Sequence, residues 1–333
     1  MSDSVNAGDA RRCQLGVTRQ LGRSDLQVPL LGVGVMTWGA PTGLRRMSPA
    51  KLAYGGADSA QEEARAFETS MQAGVTFFDT AAMYSYGASE RRLGALSRDT
   101  AALVATKFPP GPRSTAEDMP RELENSLARL GRTTVDLYQH HFPAKRVDIP
   151  RLMGLMADAV EAGKVKAVGV SNYSAEQMRI AHAALADRGV PLASNQVQYS
   201  LLHRQPETNG VLDTCRELGV TLIAYQPLAS GALTGKYLTG PLPRGFRRFM
   251  PVFRRGRRQS VAAAVAVLRE IGADHDTGPS QVAIRWLIEN RSVLPIPGAK
   301  NGTQAAANAQ ALSITLALDE IEELDRVTRE WRE

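Results

Sequence analysis

Short apolar runs alternate with longer amphipathic stretches along the chain from Leu30 onward. The runs are apolar throughout, without in-and-out alternation, and this is typical of parallel strands covered on both faces. We predict eight strands, at residues 31–35, 76–79, 103–107, 137–141, 167–170, 194–197, 222–225 and 293–296. The stretches between them carry the 3.6-residue periodicity of amphipathic helices.

The amphipathic stretches predict helices that return the chain from one strand to the next. The helical patterns include residues 59–73, 119–130, 152–162, 175–187 and 210–218. Several end at a glycine, which readily adopts the left-handed conformation of a helix C-terminus. These are Gly74, Gly131, Gly163 and Gly219. Eight strand-helix units predict an α/β fold, a (β/α)8 TIM barrel with its active site at the carboxyl ends of the strands.

Further segments extend the predicted barrel. Residues 19–28 predict an N-terminal hairpin that closes the barrel bottom. Residues 279–289 and 317–329 predict extra C-terminal helices, and long connections occupy residues 37–59, 142–149 and 227–260. We expect a flexible tail over residues 1–18 and a single domain over residues 19–333.

Composition restricts the class of protein. Of 333 residues, 43% are hydrophobic and 22% are charged, as in a soluble globular protein. No apolar run reaches membrane-spanning length, and the first 18 residues lack the apolar core of a signal peptide. Cys13 and Cys215 are the two cysteines, so a disulfide framework is not expected. We predict a cytoplasmic protein with no membrane partner.

The net charge of +6 is concentrated in one segment. Residues 236–258 contain Lys236 and several arginines but no acidic residue. Such a loop could attract a phosphorylated ligand or could be a solvated surface, and the sequence leaves both readings open. Nucleic-acid binding is not expected, because no nucleic-acid-binding module accompanies the charge.

Four polar residues lie at or just beyond the ends of predicted strands. Asp79, Lys107 and His141 each end a strand, and Tyr84 follows Asp79 by five residues. An ammonium favours ionisation of a neighbouring phenol, and a carboxylate balances that ammonium. Together these groups form a proton donor for a carbonyl oxygen, although Asp79 and Lys107 alone could be a structural ion pair.

A series of motifs carries a more specific resemblance. In chain order they are FDTAAMY at 78–84, ATK at 105–107, DLYQHHFP at 136–143, GVSNY at 169–173, NQV at 195–197, AYQPL at 224–228 and IPGAK at 296–300. From about Arg19 to about Glu330 the chain resembles the aldo-keto reductases, which are NADPH-dependent carbonyl reductases built on the (β/α)8 barrel. The bacterial and plastid branches that reduce small aldehydes, including pyridoxal, are the most similar.

The resemblance implies catalytic roles for matching positions. Tyr84 would be the general acid that protonates the carbonyl oxygen during hydride transfer, and Lys107 paired with Asp79 would lower its pKa. His141, two residues before Pro143, would orient the carbonyl. His140 would point to the opposite face of the strand, so the two histidines do not suggest a metal site.

The resemblance also implies a site for NADPH or NADP+. Ser171, Asn172 and Gln196 would hold the nicotinamide carboxamide, and Tyr225 would stack on the nicotinamide ring. Nearer the phosphates and the adenine, the residues are Gln226, Leu228, Gly231, Lys236, Lys300, Gln304 and Asn308. Gly34, Met36 and Gly298 are also assigned to this site. Ala307 and Gln304 depart from the glutamate and arginine common in the family.

The substrate would be a small aldehyde or ketone. Trp38, Tyr54 and Phe142 are assigned to the substrate pocket, with the core as the alternative location for each. Some proteins of this fold bind NADPH tightly and turn over slowly as regulatory subunits, so a sensor is the alternative function. No Gly-x-Gly-x-x-Gly fingerprint occurs, which excludes a dinucleotide-binding domain of the doubly wound type. The sequence leaves the oligomeric state open.

Overall fold

The computed structural model describes residues 16–39, 59–109, 111, 113–243 and 245–333, and only the backbone of Phe246. Ten strands lie in this part of the chain: β1 Thr18–Gln20, β2 Gln27–Pro29, β3 Gly32–Gly34, β4 Phe77–Asp79, β5 Leu103–Phe108, β6 Val135–His140, β7 Val165–Ser171, β8 Leu192–Gln198, β9 Thr221–Tyr225 and β10 Val293–Pro295. The last eight coincide with the eight predicted strands to within three residues at each end.

Strands β3 to β10 form one parallel sheet in chain order. The edge strands β3 and β10 meet where Gly34 bridges Gly298, and the Gly34 amide donates to the Pro297 carbonyl at 3.0 Å. A Cβ atom at Gly34 would lie 3.0 Å from the Ile296 carbonyl oxygen, so glycine permits this close approach. The sheet therefore closes into the predicted (β/α)8 barrel.

The hairpin of β1 and β2 covers the amino-terminal end of the barrel. Its antiparallel pairing begins with Thr18 opposite Pro29, one residue before the predicted start of the domain. Leu21 and Val28 are buried against the first residues of the barrel strands. Gly22 has a φ of +59°, and a Cβ atom there would lie 2.3 Å from the Ala193 carbonyl oxygen. The hairpin thus closes one end and leaves the other for a ligand.

Helices cover the outside of the sheet. They are α1 Ala60–Gln72, α2 Ala88–Leu96, α3 Met119–Leu130, α4 Ile149–Glu161, α5 Ala175–Ala186, α6 Val211–Leu218, α7 Lys236–Thr239, α8 Arg258–Asp274, α9 Pro279–Glu289, α10 Gly302–Gln310 and α11 Leu318–Val327. Short 3-10 turns occupy Tyr84–Gly87, Ala116–Asp118, Gln205–Glu207, Ala229–Thr234, Gly245–Phe249, Pro251–Phe253, Arg255–Arg257 and Arg329–Arg332. All seven predicted helices are confirmed, and the predicted 227–260 connection is shorter because α8 starts at Arg258.

Side-chain caps explain where several helices begin. Ser59 accepts a hydrogen bond from the Glu62 amide at the start of α1, and Asn301 accepts one from Gln304 at the start of α10. Ser174 and Gln177 form a reciprocal capping box at α5. Each cap satisfies amides that have no partner within the helix. The caps of α5 and α10 fix helices that directly follow residues of the site.

Two apolar clusters pack on the outer and inner faces of the sheet. The larger packs the outer strand faces against the helices, and the smaller fills the barrel interior with one layer that includes Phe77, Ala105 and Leu137. Because successive inward side chains are two residues apart, the next interior layer begins with Asp79 and Lys107. The interior therefore changes from apolar to polar toward the carboxyl ends of the strands.

Candidate active site

The four predicted catalytic residues meet at the carboxyl end of the barrel. The Lys107 Nζ atom donates to Asp79 Oδ2 at 2.5 Å and to the Thr80 carbonyl at 2.7 Å. The same nitrogen lies 5.0 Å from the centre of the Tyr84 ring. The His141 ring is 5.6 Å from that of Tyr84, at an interplanar angle of 82°. The phenol ring therefore lies close to both a cation and an imidazole.

Burial and charge act in opposite directions on Lys107. The side chain is fully buried, and loss of hydration lowers its pKa. The charge and hydrogen bond of Asp79 oppose this decrease, as does the charge of Glu90. A buried ammonium is tolerated only with such partners. Lys107 is therefore held at a fixed position by the carboxylate of Asp79.

His141 is a neutral imidazole in this environment. Burial is the main cause that lowers its pKa to about 2, and the charges of Lys107 and His140 add to the effect. Its buried Nδ1 atom has no hydrogen-bond partner among the described residues. The ring of Phe142 stacks on it at 4.4 Å. A neutral ring keeps one N–H for donation to a ligand.

The turn that carries Tyr84 has a constrained backbone. Ser85 and Tyr86 have φ values of 49° and 57°, and Gly87 follows at 79°. Non-glycine residues in this region cost free energy and persist where the surrounding structure holds them. In α2, which follows the turn, the Ser89 hydroxyl donates to the Val35 carbonyl and is 2.8 Å from the hydroxyl of Thr80. The strain fixes the direction in which the chain leaves β4.

One interior residue of the site was not predicted. The Gln139 side chain is fully buried, and its Nε2 atom donates to Asp79 Oδ1 at 3.1 Å. The Nε2 atom of Gln196 donates to the same oxygen at 2.8 Å. Alternation along β6 carries a signal, since Leu137, Gln139 and His141 share one face. An interior glutamine next to a buried aspartate was therefore recognisable from the sequence.

A cavity of about 510 Å³ opens at this end of the barrel. Asp79, Tyr84 and His141 lie in its wall, while Lys107 lies behind them. All fourteen predicted cofactor residues line it: Gly34, Met36, Ser171, Asn172, Gln196, Tyr225, Gln226, Leu228, Gly231, Lys236, Gly298, Lys300, Gln304 and Asn308. Unpredicted lining residues are Thr37, Met83, Pro227, Ser230, Thr234, Arg247, Ser280, Gln281, Ile296, Pro297 and Ala307.

Hydroxyl and amide groups gather beside the catalytic end of the cavity. The Ser171 hydroxyl donates to the Gln196 carbonyl at 2.8 Å and accepts from Asn172 Nδ2 at 3.0 Å. The same Asn172 nitrogen is 3.2 Å from the His141 carbonyl, and its Oδ1 atom accepts from Tyr225 at 3.0 Å. These contacts fix donors and acceptors that suit a carboxamide ligand.

Three basic side chains line the cavity. They are Lys236, Arg247 and Lys300, and Arg247 also donates to the Ser230 carbonyl at 3.2 Å. Within the arginine-rich segment, Arg247 is therefore directed to the cavity. By contrast, Arg257 forms an ion pair with Glu330 at 2.9 Å, away from the cavity lining. Three cations in the cavity lining suit a ligand that carries phosphates.

The three predicted substrate-pocket residues have different positions. Phe142 lines the cavity beside His141. Trp38 does not: it is fully buried in the outer core, 6.1 Å from the Phe78 ring, and its indole N–H donates to the Ala299 carbonyl. Because the indole has a large apolar surface and one donor, it packs where both are satisfied. Tyr54 lies outside the described residues, as do residues 1–15.

The described residues restrict other kinds of site. No group of three or more histidine, cysteine or carboxylate side chains in the part of the chain that the structure covers could hold a metal ion. Within the same ranges, no helix combines the length and apolar character that a membrane span requires.

Comparison with known proteins assigns the family. The model of the aldo/keto reductase family matches residues 31–329. Pyridoxal reductase, chloroplastic, of Arabidopsis thaliana is 34% identical over 328 residues, covering 92% of this chain and 84% of the relative. Aldo-keto reductase yakc [NADP(+)] of Schizosaccharomyces pombe is 32% identical, with coverage of 92% and 90%.

A solved structure gives the same result. The thermostable aldo-keto reductase Tm1743, crystallised with the inhibitor epalrestat, superposes with a TM-score of 0.72 at 28% identity. The match covers 93% of this chain and 99% of that one. With its closed barrel and its cavity at the carboxyl ends of the strands, the chain is an oxidoreductase that belongs to the aldo/keto reductase family.

Proposed function

We propose that this protein reduces aldehydes or ketones to alcohols with NADPH, using Tyr84 as the general acid. The observation that carries the proposal is the position of Tyr84 close to both the Lys107 ammonium, at 5.0 Å from its ring, and the His141 ring, at 5.6 Å. Tyr84 and His141 line a cavity that three basic side chains, Lys236, Arg247 and Lys300, also line. A proton donor and cations that can pair with phosphates are the two parts that such a reduction requires.

The cavity lining fits a nicotinamide cofactor. Ser171, Asn172 and Gln196 would hold the carboxamide, because it offers both N–H donors and a carbonyl acceptor. Tyr225 would stack on the ring. Near the pyrophosphate and the adenosine would lie Gln226, Leu228, Gly231, Lys236, Gly298, Lys300, Gln304 and Asn308. When bound, the reduced nicotinamide supplies the hydride that goes to the carbonyl carbon.

The residues of the chain supply the proton and the orientation. Tyr84 would donate its phenolic proton to the carbonyl oxygen and would recover one from solvent afterwards. Lys107, held by Asp79, favours release of that proton because a cation stabilises the phenolate. Neutral His141 would donate a second hydrogen bond to the same oxygen and so orient the substrate.

NADPH is proposed over NADH because of a cation in the cavity lining. Lys300 lines the cavity beside Gln304, whose Oε1 accepts from the Lys300 amide at 3.0 Å. A cation there would pair with the 2′-phosphate that NADH lacks. The Schizosaccharomyces pombe relative is named for NADP(+), which supports the same choice.

Replacement of Tyr84 by phenylalanine tests the proposal. General acid catalysis contributes about 100-fold or more, so Tyr84→Phe should lower kcat by at least that factor, about 2.7 kcal/mol of transition-state stabilisation. NADPH oxidation would be followed by absorbance with an aldehyde panel. Pyridoxal belongs in the panel because the Arabidopsis relative is named a pyridoxal reductase.

Tyr86→Phe is the matched control. Tyr86 lies on the same turn, is half exposed and does not line the cavity, so its hydroxyl should be dispensable for turnover. NADPH affinity should be retained in both variants. Wild-type turnover by Tyr84→Phe would refute the role of Tyr84. Tight NADPH binding by the native protein with no turnover on any carbonyl would refute the reductase and favour the sensor.

A further inference from the structure

The carboxylate of Asp79 is held from both sides. Its Oδ2 atom accepts from Lys107 Nζ at 2.5 Å, and its Oδ1 atom accepts from Gln139 Nε2 at 3.1 Å and from Gln196 Nε2 at 2.8 Å. All four side chains are at least 98% buried. An ionised carboxylate accepts hydrogen bonds and cannot donate them. Both glutamines must therefore turn their NH2 groups toward Asp79.

The orientation of the Gln196 amide is also determined by its contact with Gln139. The Nε2 atom of Gln196 also lies 3.2 Å from Oε1 of Gln139. An amide nitrogen has two hydrogens, so that nitrogen is fully used by Asp79 and Gln139. The Oε1 atom is then the part of the Gln196 amide that can accept from a ligand in the cavity, which Gln196 lines.

The neighbouring strand leaves room for Gln139. Gly169 on β7 lies beside it, and a Cβ atom at Gly169 would be 3.1 Å from Gln139 Cγ and 2.4 Å from Ser194 Oγ. A side chain at Gly169 would therefore displace the Ser194 hydroxyl and press on Gln139 Cγ. The glycine of the 169–173 motif thus leaves space for this interior layer.

We propose that Gln139 is a positioning residue, which fixes the Asp79 carboxylate and presents Gln196 Oε1 as an acceptor for the NH2 group of the cofactor carboxamide. The inference rests on the proposed function and deepens it, since it says which half of the carboxamide Gln196 recognises. Gln139 itself does not line the cavity and acts only through its two partners.

Gln139→Met tests the proposal, because methionine keeps the length and volume of the side chain but removes the amide. Gln196 then keeps its hydrogen bond to Asp79 but loses its second acceptor, and Asp79 loses one donor, so both side chains are held less firmly. A small misplacement at a reacting site can cost about 100-fold in rate. We expect at least a ten-fold loss in kcat/KM for NADPH. Leu137→Val, one interior layer below on β6, is the control and should lower the melting temperature without this kinetic loss.

A cofactor analogue separates positioning from general damage. Reduced 3-acetylpyridine adenine dinucleotide phosphate has a methyl group in place of the carboxamide NH2, so it cannot donate to Gln196. The native protein should bind it more weakly than NADPH, and Gln139→Met should reduce its affinity little further. Equal losses by Gln139→Met for both cofactors would overturn the proposal.

Gln139→Glu provides a pH-dependent rescue. The titratable groups in this part of the site are Asp79, Lys107, His141 and Tyr84, and the charge of Glu90 also acts on Lys107. A protonated glutamic acid could still donate to Asp79 and accept from Gln196, whereas an ionised one would repel Asp79. The kcat/KM of the Gln139→Glu variant, relative to that of the native protein, should therefore be highest at low pH and should fall as pH rises. A constant ratio at all pH values would contradict the inference.

The two proposals can fail separately. Turnover of the native protein with NADPH tests the reductase function. The kcat/KM of each Gln139 variant relative to that of the native protein tests the role of Gln139. If the native protein bound NADPH without turnover, fluorescence titration would give the affinities of the native protein and of Gln139→Met for NADPH and for its acetylpyridine analogue. These four affinities show whether the substitution and the change of cofactor depend on each other. Additive effects of the Gln139→Met substitution and the analogue would then refute the inference.

Discussion

Two adjacent histidines at the end of β6 are buried as neutral rings. Burial lowers the pKa of His140 to about 4. Burial, with the nearby Lys107 cation and the neighbouring His140, lowers the pKa of His141 to about 2. His140 Nδ1 lies 2.6 Å from the Tyr173 hydroxyl on the outer side of the sheet. A histidine that is neutral in the folded protein binds a proton more readily when unfolded. Protonation therefore does not affect the free energy of unfolding above about pH 6.5. That free energy decreases as pH falls below this value, until the folded pKa is reached.

His140→Gln should make stability less sensitive to acid. Between pH 6.5 and pH 5 the unfolded chain gains a proton at His140 that the folded protein excludes, which costs about 1.36 kcal/mol per pH unit, or about 2 kcal/mol in all. The drop in unfolding free energy from pH 7.5 to pH 5, measured with urea, should be smaller by that amount in the variant. Equal drops in both proteins would show that His140 does not carry this linkage.

The positions of individual site residues were predictable where a polar residue ends an apolar strand. Asp79, Lys107 and His141 each stand next to an apolar strand, and the structure brings them together with Tyr84. Trp38 was ambiguous, because an aromatic ring beside the site suits either the core or a pocket. Its hydrogen bond to Ala299, 261 residues away in sequence, decides for the core. Contacts over such separations leave no local trace in the pattern.

At the scale of elements, Arg204 ties the C-terminal helices to the barrel. This buried guanidinium donates two hydrogen bonds to Glu207, pairs with Asp325 at 2.8 Å and donates to the Thr328 hydroxyl at 2.8 Å. It also lies 5.0 Å from the centre of the Trp286 ring of α9. One side chain thus joins the segment after β8 to α9, α11 and the final turn.

Arg204→Met should destabilise the protein by about 2 kcal/mol. The value is below the usual 3–5 kcal/mol for breaking a buried pair, because Asp325 is partly exposed and Glu207 keeps Arg332 as a partner. Arg216→Met is the control, since that arginine and its partner Asp213 are exposed and such pairs contribute at most about 1 kcal/mol. Urea denaturation measures both variants, and similar losses would argue against an anchoring role for Arg204.

Strands were easier to predict than the long loops. The apolar runs located all eight barrel strands, since burial of both faces leaves a strong pattern. The 227–260 connection instead contains α7 and several short turns, and the backbone is left-handed at Ala229, at Ser230 and at the preceding Gln226. None of these residues is a glycine, so the conformation was not predictable from the residue types. Tertiary contacts around the cavity impose it.

At the scale of the whole molecule, the cavity crosses the closure of the barrel. Gly34 of β3 and Gly298 after β10 both line it, as do Gln226, Leu228 and Lys236 of the loop after β9. A ligand in this cavity would therefore join the first strand of the barrel to its last and to the covering loop. Binding to the folded state alone stabilises it by about 2.7 kcal/mol at a concentration 100 times Kd.

NADPH should accordingly raise the melting temperature of the native protein, on the order of 4 °C at that saturation. Lys300→Met should reduce this shift, because one hydrogen bond to a charged group contributes about 1.5–3 kcal/mol and NADPH would bind about ten-fold or more weakly. The shift with NADH should be the same in both proteins, since NADH has no 2′-phosphate for Lys300 to contact. Thermal denaturation with each nucleotide measures these differences. If Lys300→Met weakened NADPH and NADH equally, Lys300 would support the cavity wall and would not recognise the 2′-phosphate.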